Sequence, residues 1–126
     1  FQGDEIHATH DGTVIVVIYA ANDTYGYGNH VIIENTTKDL YTLYAHMDSI
    51  SVSVGQNITL GDVVGTEGNT TCCGNKYGVH LHYEIRSDPN TSALNNCDAV
   101  NYVPPGWQEN YPLNYDGTCY AEDGPI

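Results

Sequence analysis

The chain has 126 residues, enough for one domain with its own core, and its 16 acidic against 3 basic residues give a formal net charge of −13. That charge repels nucleic acids and anionic membrane surfaces, so neither is expected as a partner. The sequence contains no run near the ~18 apolar residues of a membrane span and opens without a signal-peptide pattern, so membrane insertion is not expected either.

Short segments with alternating or β-branched residues follow one another up to Arg86, and none has the period of a helix. Turn-forming pairs such as Asp11-Gly12 separate them. We predict strands over residues 5–9, 13–20, 29–34, 41–46, 57–60, 62–65 and 79–86. The expected fold class is therefore mainly β, an antiparallel sheet or barrel-like sandwich that occupies residues 1–102.

Residues 103–126 differ from this β domain, with the two close prolines Pro104 and Pro105 and little periodicity. We expect a loop-rich C-terminal tail that packs on the β domain, where Trp107 and several tyrosines cover apolar surface of the sheet. An exposed aromatic patch is the alternative for the same residues.

Four cysteines lack the paired spacing of a zinc finger, which favours disulfides. Cys72 and Cys73 are adjacent and do not bridge each other comfortably, so each is expected to pair with Cys97 or Cys119. Both pairings that remain would staple the tail to the β domain.

Five Asn-x-Ser/Thr sequons lie in turn-like surroundings where a glycan would fit. These candidate glycosylation sites are Asn22, Asn35, Asn57, Asn69 and Asn90. Together with the cysteines, they favour a secreted, extracellular or cell-surface protein.

Two imidazoles stand two residues apart in the alternating segment 79–86. At period two, His80, His82 and Glu84 share one face of a strand, and the intervening apolar residues share the other. Such a pair can aim two nitrogens at one metal ion or one substrate, whereas the alternative is a solvated strand face. Glu84 is then either a partner that orients one imidazole or a solvent-facing carboxylate.

A third histidine, His46, ends the segment 41–46. Alternation places Thr42, Tyr44 and His46 on one face, as for a residue that projects from a sheet into a groove. A surface histidine at a strand end is the alternative, but the presence of the other histidine pair favours a functional group.

The other three histidines are not expected to be metal ligands or catalytic groups. His30 is expected to be a strand residue with one solvated face rather than a metal ligand. His7 and His10 are three residues apart, on opposite faces of an extended segment, and are not expected to share a site.

Several short motifs follow one another in a recognisable order. They are Asp11-Gly12-Thr13-Val14, then the segments 27–33 and 41–47, the turns Val54-Gly55-Gln56 and Gly61-Asp62, and finally the segment 80–86. This series, with its Tyr-Ala-His and His-Leu-His elements, resembles the lysostaphin-type zinc metallopeptidases from about Gly3 to about Tyr102.

The resemblance implies roles for three histidines. In that family, zinc is held by a His and an Asp of an early His-x-x-x-Asp motif and by the second histidine of His-x-His. By position, His82 would be the zinc ligand, and His46 and His80 the catalytic pair. Three protein ligands leave an open position on zinc for water or the scissile carbonyl.

The early His-x-x-x-Asp motif is not visible in this sequence. His7 and Asp11 have its spacing, but they align after the motif, and Asp11 is expected to serve a turn. Two explanations remain open. Either the missing His and Asp lie upstream of Phe1 and zinc is the cofactor, or the domain begins near Phe1, has one ligand and binds no metal.

The leading hypothesis is a secreted zinc endopeptidase that hydrolyses short peptide cross-links of the peptidoglycan type. The alternative is an inactive peptidase-fold glycoprotein that serves as an extracellular binding module or self-assembling structural subunit. An acidic enzyme would approach an anionic cell wall against its own field, which favours the alternative. The retained His46, His80 and His82 favour the enzyme.

Overall fold

Eight β-strands form one sheet in the computed structural model, which describes residues 2–23, 26–38, 40–72, 78–86 and 120–122. The strands are β1 (Glu5–His7), β2 (Gly12–Ile18), β3 (Asn29–Asn35), β4 (Tyr41–Ile50), β5 (Asn57–Ile58), β6 (Val63–Glu67), β7 (His82–Arg86) and β8 (Tyr120–Glu122). A single 3-10 turn, Ala20–Asn22, follows β2. Within these ranges, no helix has the length and hydropathy of a membrane span.

All strand pairs are antiparallel, and the order along the sheet is β1-β6-β4-β3-β2-β5. The long strand β4 pairs with β3 along one side. Along its other side, its first half pairs with β7 and its second half with β6, while β8 adds to β7. Strand β4 is therefore the centre of the fold.

The predicted mainly β, antiparallel fold is confirmed, but the sandwich alternative is wrong. The strands make one curled sheet, a half-barrel, and not two packed layers. Register shifts interrupt four of the strand pairs, and such bulges bend and twist a sheet. The curvature lets a single sheet enclose its own core.

The predicted strands before residue 87 are all present, with boundaries that differ by a few residues. Strand β4 runs four residues beyond the predicted end at His46, to Ile50. Strand β8 was not predicted, because it lies in the segment interpreted as a loop-rich tail. A three-residue strand has no periodicity to detect and depends on its pairing with β7.

The main core lies on one face of the sheet and includes the apolar face of β7, while a smaller buried cluster of Ile32, Leu43 and Ala45 lies on the other face of β3 and β4. Leu81, Tyr83 and Ile85 are at most 1% exposed, as the alternation of segment 79–86 predicts. They pack with a larger set of buried side chains from the other strands: Ile6, Ala8, Val14, Val31, Ile33, Tyr44, Met47, Val52, Ile58 and Val64. The opposite face of β7 is thereby left to its histidine and carboxylate.

A network of hydroxyl groups ties the β1–β2 connection to this core. Thr9 Oγ1 lies 3.1 Å from the hydroxyl of Tyr44 and 2.9 Å from that of Tyr83, and Thr9 N–H donates to Tyr44. Thr42 Oγ1 also donates to the Tyr44 hydroxyl and lies 2.8 Å from His10 Nε2. Each buried polar side chain in the described residues has a hydrogen-bond partner.

His10 should make the protein less stable below neutral pH. Burial lowers the pKa of His10 below its ordinary value of 6.5, against the opposing effect of the Asp11 carbonyl and charge. As the pH falls below 6.5, the unfolded chain binds a proton that the folded state resists. The free energy of unfolding should therefore decrease, by at most about 1.4 kcal/mol per pH unit from this group.

Urea unfolding of the wild type and of His10→Gln between pH 8 and pH 5 measures this contribution. We expect the variant to lose less stability over that range. Equal slopes for the two proteins would show that His10 is not responsible.

Of the four cysteines, Cys72 lies within the described residues. Cys72 is 8% exposed and disulfide-bonded. Cys73, Cys97 and Cys119 lie outside the described residues, as do Pro104, Pro105, Trp107 and the tail except β8. The pairing and the stapling of the tail remain predictions.

The sequons differ in their surroundings. Asn22, Asn57 and Asn69 are exposed, and Asn90 lies outside the described residues. Asn35 is 6% exposed, and its Oδ1 accepts the backbone N–H of Leu40. The expectation that a glycan fits there is wrong, because the turn after β3 folds over the side chain.

Candidate active site

Three imidazoles meet where β4, β7 and the segment before β7 come together. The ring centroids of His46 and His80 are 4.6 Å apart, and those of His46 and His82 are 6.0 Å apart. Ala45 pairs directly with His82, and His80 forms an isolated bridge with Gly68. The structure thus brings together the three histidines singled out in the sequence.

His46 reaches this cluster by a break in strand alternation. Thr42 and Tyr44 are 0% exposed, and their hydroxyls belong to the core-side network, so the predicted common face with His46 is wrong. A register shift between β3 and β4 adds one residue to β4 here, and His46 has a φ of 59°. This bulge turns the imidazole to the opposite side, at a cost of about 1–2 kcal/mol for a non-glycine residue in this conformation.

Backbone carbonyls fix the tautomers of His46 and His80. His46 Nδ1 lies 2.8 Å from the carbonyl oxygen of Thr70, and His80 Nδ1 lies 2.8 Å from that of Gly78. A carbonyl oxygen only accepts, so each Nδ1 must carry the proton. In the neutral imidazoles, Nε2 is then the acceptor nitrogen, and both rings can take up a proton there.

His82 is held in the other tautomer. Its Nε2 lies 2.8 Å from Glu84 Oε1, and a carboxylate only accepts, so Nε2 carries the proton and Nδ1 becomes the acceptor. A carboxylate on the second ring nitrogen is the usual support of a metal-ligating histidine. Glu84 is 7% exposed, so the interpretation of Glu84 as an orienting partner is confirmed and the solvent-facing alternative is wrong.

Arg86 and Tyr27 complete the surroundings of Glu84. Arg86 Nε donates to Glu84 Oε2 at 2.7 Å, and Arg86 Nη2 donates to the Tyr27 hydroxyl at 2.9 Å. The Tyr27 hydroxyl in turn donates to Glu84 Oε1 at 3.1 Å. Burial by itself would raise the pKa of Glu84, but the hydrogen bond from His82 and the charge of Arg86 lower it from 4.5 to about 2. Glu84 is therefore ionised at neutral pH.

Tyr27 and Arg86 are site residues that the sequence analysis did not identify. The Tyr27 ring lies 5.8 Å from that of His82 and 5.4 Å from that of His30. Burial, followed by the charge of Glu84, raises the pKa of Tyr27, so its hydroxyl keeps its proton. A signal for Arg86 existed, since it continues the alternation from His82 through Glu84.

His30 is buried, and the expectation of a solvated face is wrong. It is 5% exposed and its Nδ1 bonds to the carbonyl of Gly28 at 2.9 Å. Burial lowers its pKa, against smaller opposing effects that include the Gly28 carbonyl. The Tyr27 ring packs beside the His30 imidazole.

Asp11 has a structural contact of the expected kind. Its Oδ1 accepts the backbone N–H of Leu60 at 2.7 Å, which ties the start of β2 to the turn before β6. His7 lies on β1 opposite Val63, and His10 belongs to the hydroxyl network. His7 and Asp11, which have the His-x-x-x-Asp spacing, therefore make a strand pairing and a turn contact respectively.

The described residues supply part of a metal site. His82, with its tautomer fixed by Glu84, has the donor chemistry of one ligand. No group of three or more His, Cys, Asp or Glu side chains within the described ranges is placed to hold a metal ion. A complete site would need ligands from outside these residues.

A curled antiparallel sheet that carries such a histidine cluster is the architecture of a metallopeptidase-type domain. A model of Peptidase family M23 matches residues 1–101, and the chain belongs to this family. The expected relation to the lysostaphin-type peptidases is confirmed. M23 peptidases are zinc enzymes.

Two curated relatives have names that refer to peptidoglycan, one as an endopeptidase and the other as an activator of murein hydrolases. The chain is 34% identical over 104 residues to the peptidoglycan DD-endopeptidase ShyA of Vibrio cholerae, covering 81% of this chain and 22% of that protein. It is 38% identical over 85 residues to the murein hydrolase activator NlpD of Escherichia coli, covering 68% and 20%. The chain thus spans about a fifth of the length of either relative.

A solved structure has the same fold. The catalytic domain of the prophage-encoded M23 protein EnpA from Enterococcus faecalis, solved as a point mutant, superposes with a TM-score of 0.61 at 32% identity. The match covers 71% of this chain and 64% of the EnpA chain.

Proposed function

We propose that this domain is the catalytic part of a zinc endopeptidase that hydrolyses short peptide cross-links of the peptidoglycan type. The observation that carries the proposal is the convergence of His46, His80 and His82, each with its proton assigned by a hydrogen-bond acceptor. The names of ShyA and EnpA support the same chemistry.

The tautomers of the three histidines favour different roles for them in this proposal. His82 offers Nδ1 as a zinc ligand, supported by Glu84. Bound zinc would supply a polarised scissile carbonyl and a water molecule of lowered pKa. His46 and His80 each present an acceptor Nε2, so one takes the proton of the attacking water and the other, once protonated, stabilises developing negative charge.

The remaining zinc ligands in this proposal are a histidine and an aspartate upstream of Phe1. Within the described residues, no group of three or more His, Cys, Asp or Glu side chains is placed to hold a metal ion. The proposal therefore places the other two ligands outside these residues. If the natural protein has no such residues, zinc is not its cofactor.

Location outside the cytoplasm is part of the proposal. Peptidoglycan lies outside the cell membrane, and the two relatives are named as a peptidoglycan endopeptidase and as an activator of murein hydrolases. We propose a secreted, extracellular or cell-envelope protein in which, among the described residues, a glycan can reach the sequons at Asn22, Asn57 and Asn69. Cys72, in a disulfide, fits the same oxidising compartment.

A second candidate is a binding module that acts on peptidoglycan without cleaving it. The 38% identity to the murein hydrolase activator NlpD favours it, as does the incomplete ligand set of the described residues. In this alternative, the surface beside the histidines holds a peptide or glycan but does not cut it, and self-assembly of the module is a further option.

Metal analysis of the natural protein, with its N-terminus determined, separates the two candidates. The enzyme predicts one zinc per chain and residues upstream of Phe1 that include the missing His and Asp. The same protein should release peptides from peptidoglycan and lose this activity with a chelator. A natural protein that begins at Phe1 and binds no zinc would overturn the enzyme and favour the binding module.

A further inference from the structure

Thr70 connects three segments around His46. It lies between β6 and β7, and its Oγ1 accepts the backbone N–H of Asn29 at 3.0 Å. The same hydroxyl donates to the carbonyl of Met47 at 2.7 Å. The carbonyl of Thr70 itself accepts the proton of His46 Nδ1. One residue thus holds the start of β3, the second half of β4 and the imidazole.

The contact between Thr70 and the loop before β3 leaves no spare room. A Cβ on Gly28 would lie 2.2 Å from the Thr70 carbonyl oxygen and 2.6 Å from its Oγ1, and Gly28 has a φ of 65°. His46 N–H donates to the carbonyl of Tyr27, and Asn29 Nδ2 donates to that of Met47. Hydrogen bonds therefore fix His46 on both its backbone and its ring.

The backbone conformation of His46 requires these hydrogen bonds. A histidine at φ 59° persists only where its surroundings determine it, since the conformation is unfavourable by itself. The ring also needs a stable acceptor at Nδ1, because the proton of a neutral imidazole can otherwise reside on either nitrogen. The Tyr27 carbonyl holds the backbone of His46, and the tautomer depends on the place of the Thr70 carbonyl.

We propose that Thr70 is a positioning residue for His46. Its hydroxyl, held between Asn29 N–H and the Met47 carbonyl, keeps the Thr70 carbonyl where it takes the Nδ1 proton. Nε2 of His46 thereby remains the acceptor nitrogen beside His80. The inference rests on the proposed function only in that this nitrogen accepts a proton during peptide hydrolysis.

The tautomer of His46 tests the inference without any activity assay. Ring ¹⁵N chemical shifts, measured near pH 8.5 where imidazoles are neutral, report which nitrogen carries the proton. We expect the Nδ1–H form in the wild type and in Thr70→Ser, which keeps the hydroxyl. Thr70→Val removes the hydroxyl with little change of shape, and should give a mixture of both tautomers.

Turnover supplies the second measurement in the natural protein that carries this domain. Thr70→Val should lower kcat by about 10- to 100-fold with little change in KM, and Thr70→Ser should restore most of it. Thr66→Val is the matched control, because Thr66 Oγ1 bonds to Ser49 on the exposed side of β6 and should affect neither measurement.

Three results would overturn the inference. They are an unchanged His46 tautomer in Thr70→Val, an equal loss of kcat in Thr66→Val, or a failure of Thr70→Ser to restore kcat. A wild type that cleaves no peptide would instead overturn the proposed function, and the tautomer measurement would still decide the role of Thr70.

Discussion

Replacing His80 or His46 with alanine should lower the rate of peptide-bond hydrolysis by about 10²- to 10⁴-fold, the usual effect of losing a general acid or base. Both rings present Nε2 as an acceptor, and their centroids are 4.6 Å apart, so both face the same small volume. Release of peptides from peptidoglycan by the natural protein measures the loss. The double variant should be little worse than either single variant, because the two groups act on one step.

His7→Ala is the matched control for these two variants. His7 lies on β1, paired with β6, and contributes nothing to the proposed chemistry. It should leave hydrolysis unchanged, and far-ultraviolet circular dichroism should show that all three variants fold. Unchanged turnover in His46→Ala or His80→Ala would refute the catalytic role of that residue.

Replacing Arg86 with methionine should lower the free energy of unfolding by about 3 kcal/mol or more, because it leaves a buried carboxylate without its charge partner. Arg86 and Glu84 are each 7% exposed, and Arg86 Nη2 lies 2.7 Å from Glu84 Oε2. The change also removes the hydrogen bond to the Tyr27 hydroxyl. Urea unfolding at neutral pH, where Glu84 is ionised, measures the effect.

Two further variants show whether the unpaired charge is the cause. Lys38→Met likewise replaces a cationic side chain by methionine, but at an exposed position, and should alter stability by less than about 0.5 kcal/mol. Glu84→Gln combined with Arg86→Met should be more stable than the sum of the two single effects predicts. Strict additivity would mean that Arg86 stabilises the fold through packing alone.

The alternation of segment 79–86 was sufficient to predict the two faces of β7. Successive side chains of a strand point to opposite faces of the sheet, so the apolar residues of this segment placed His82 and Glu84 on the face away from the main core. The family resemblance then assigned separate roles to His80 and His82. The relation to the M23 peptidases was confirmed by the family match over residues 1–101.

Alternation failed at His46 for a physical reason. A bulge inserts one residue into a strand and reverses the side-chain direction after it. The composition of segment 41–46 does not predict a positive φ at His46. The prediction for His30 was wrong because alternation does not report how side chains of the neighbouring loop pack beside the imidazole, as the Tyr27 ring does at 5.4 Å between centroids. A bulge that is set by pairing between separate strands leaves no local pattern in the sequence.

The sequence by itself determined the strands up to Arg86, the family and the three histidines of the candidate site. These depend on local periodicity and on the order of short motifs, which are properties of the chain. Only the tertiary structure decided which nitrogen of each ring carries the proton, because the acceptors at Thr70, Gly78 and Glu84 are defined by folding. It also decided that the sheet curls into one half-barrel, since bulges and register follow from pairing between distant strands.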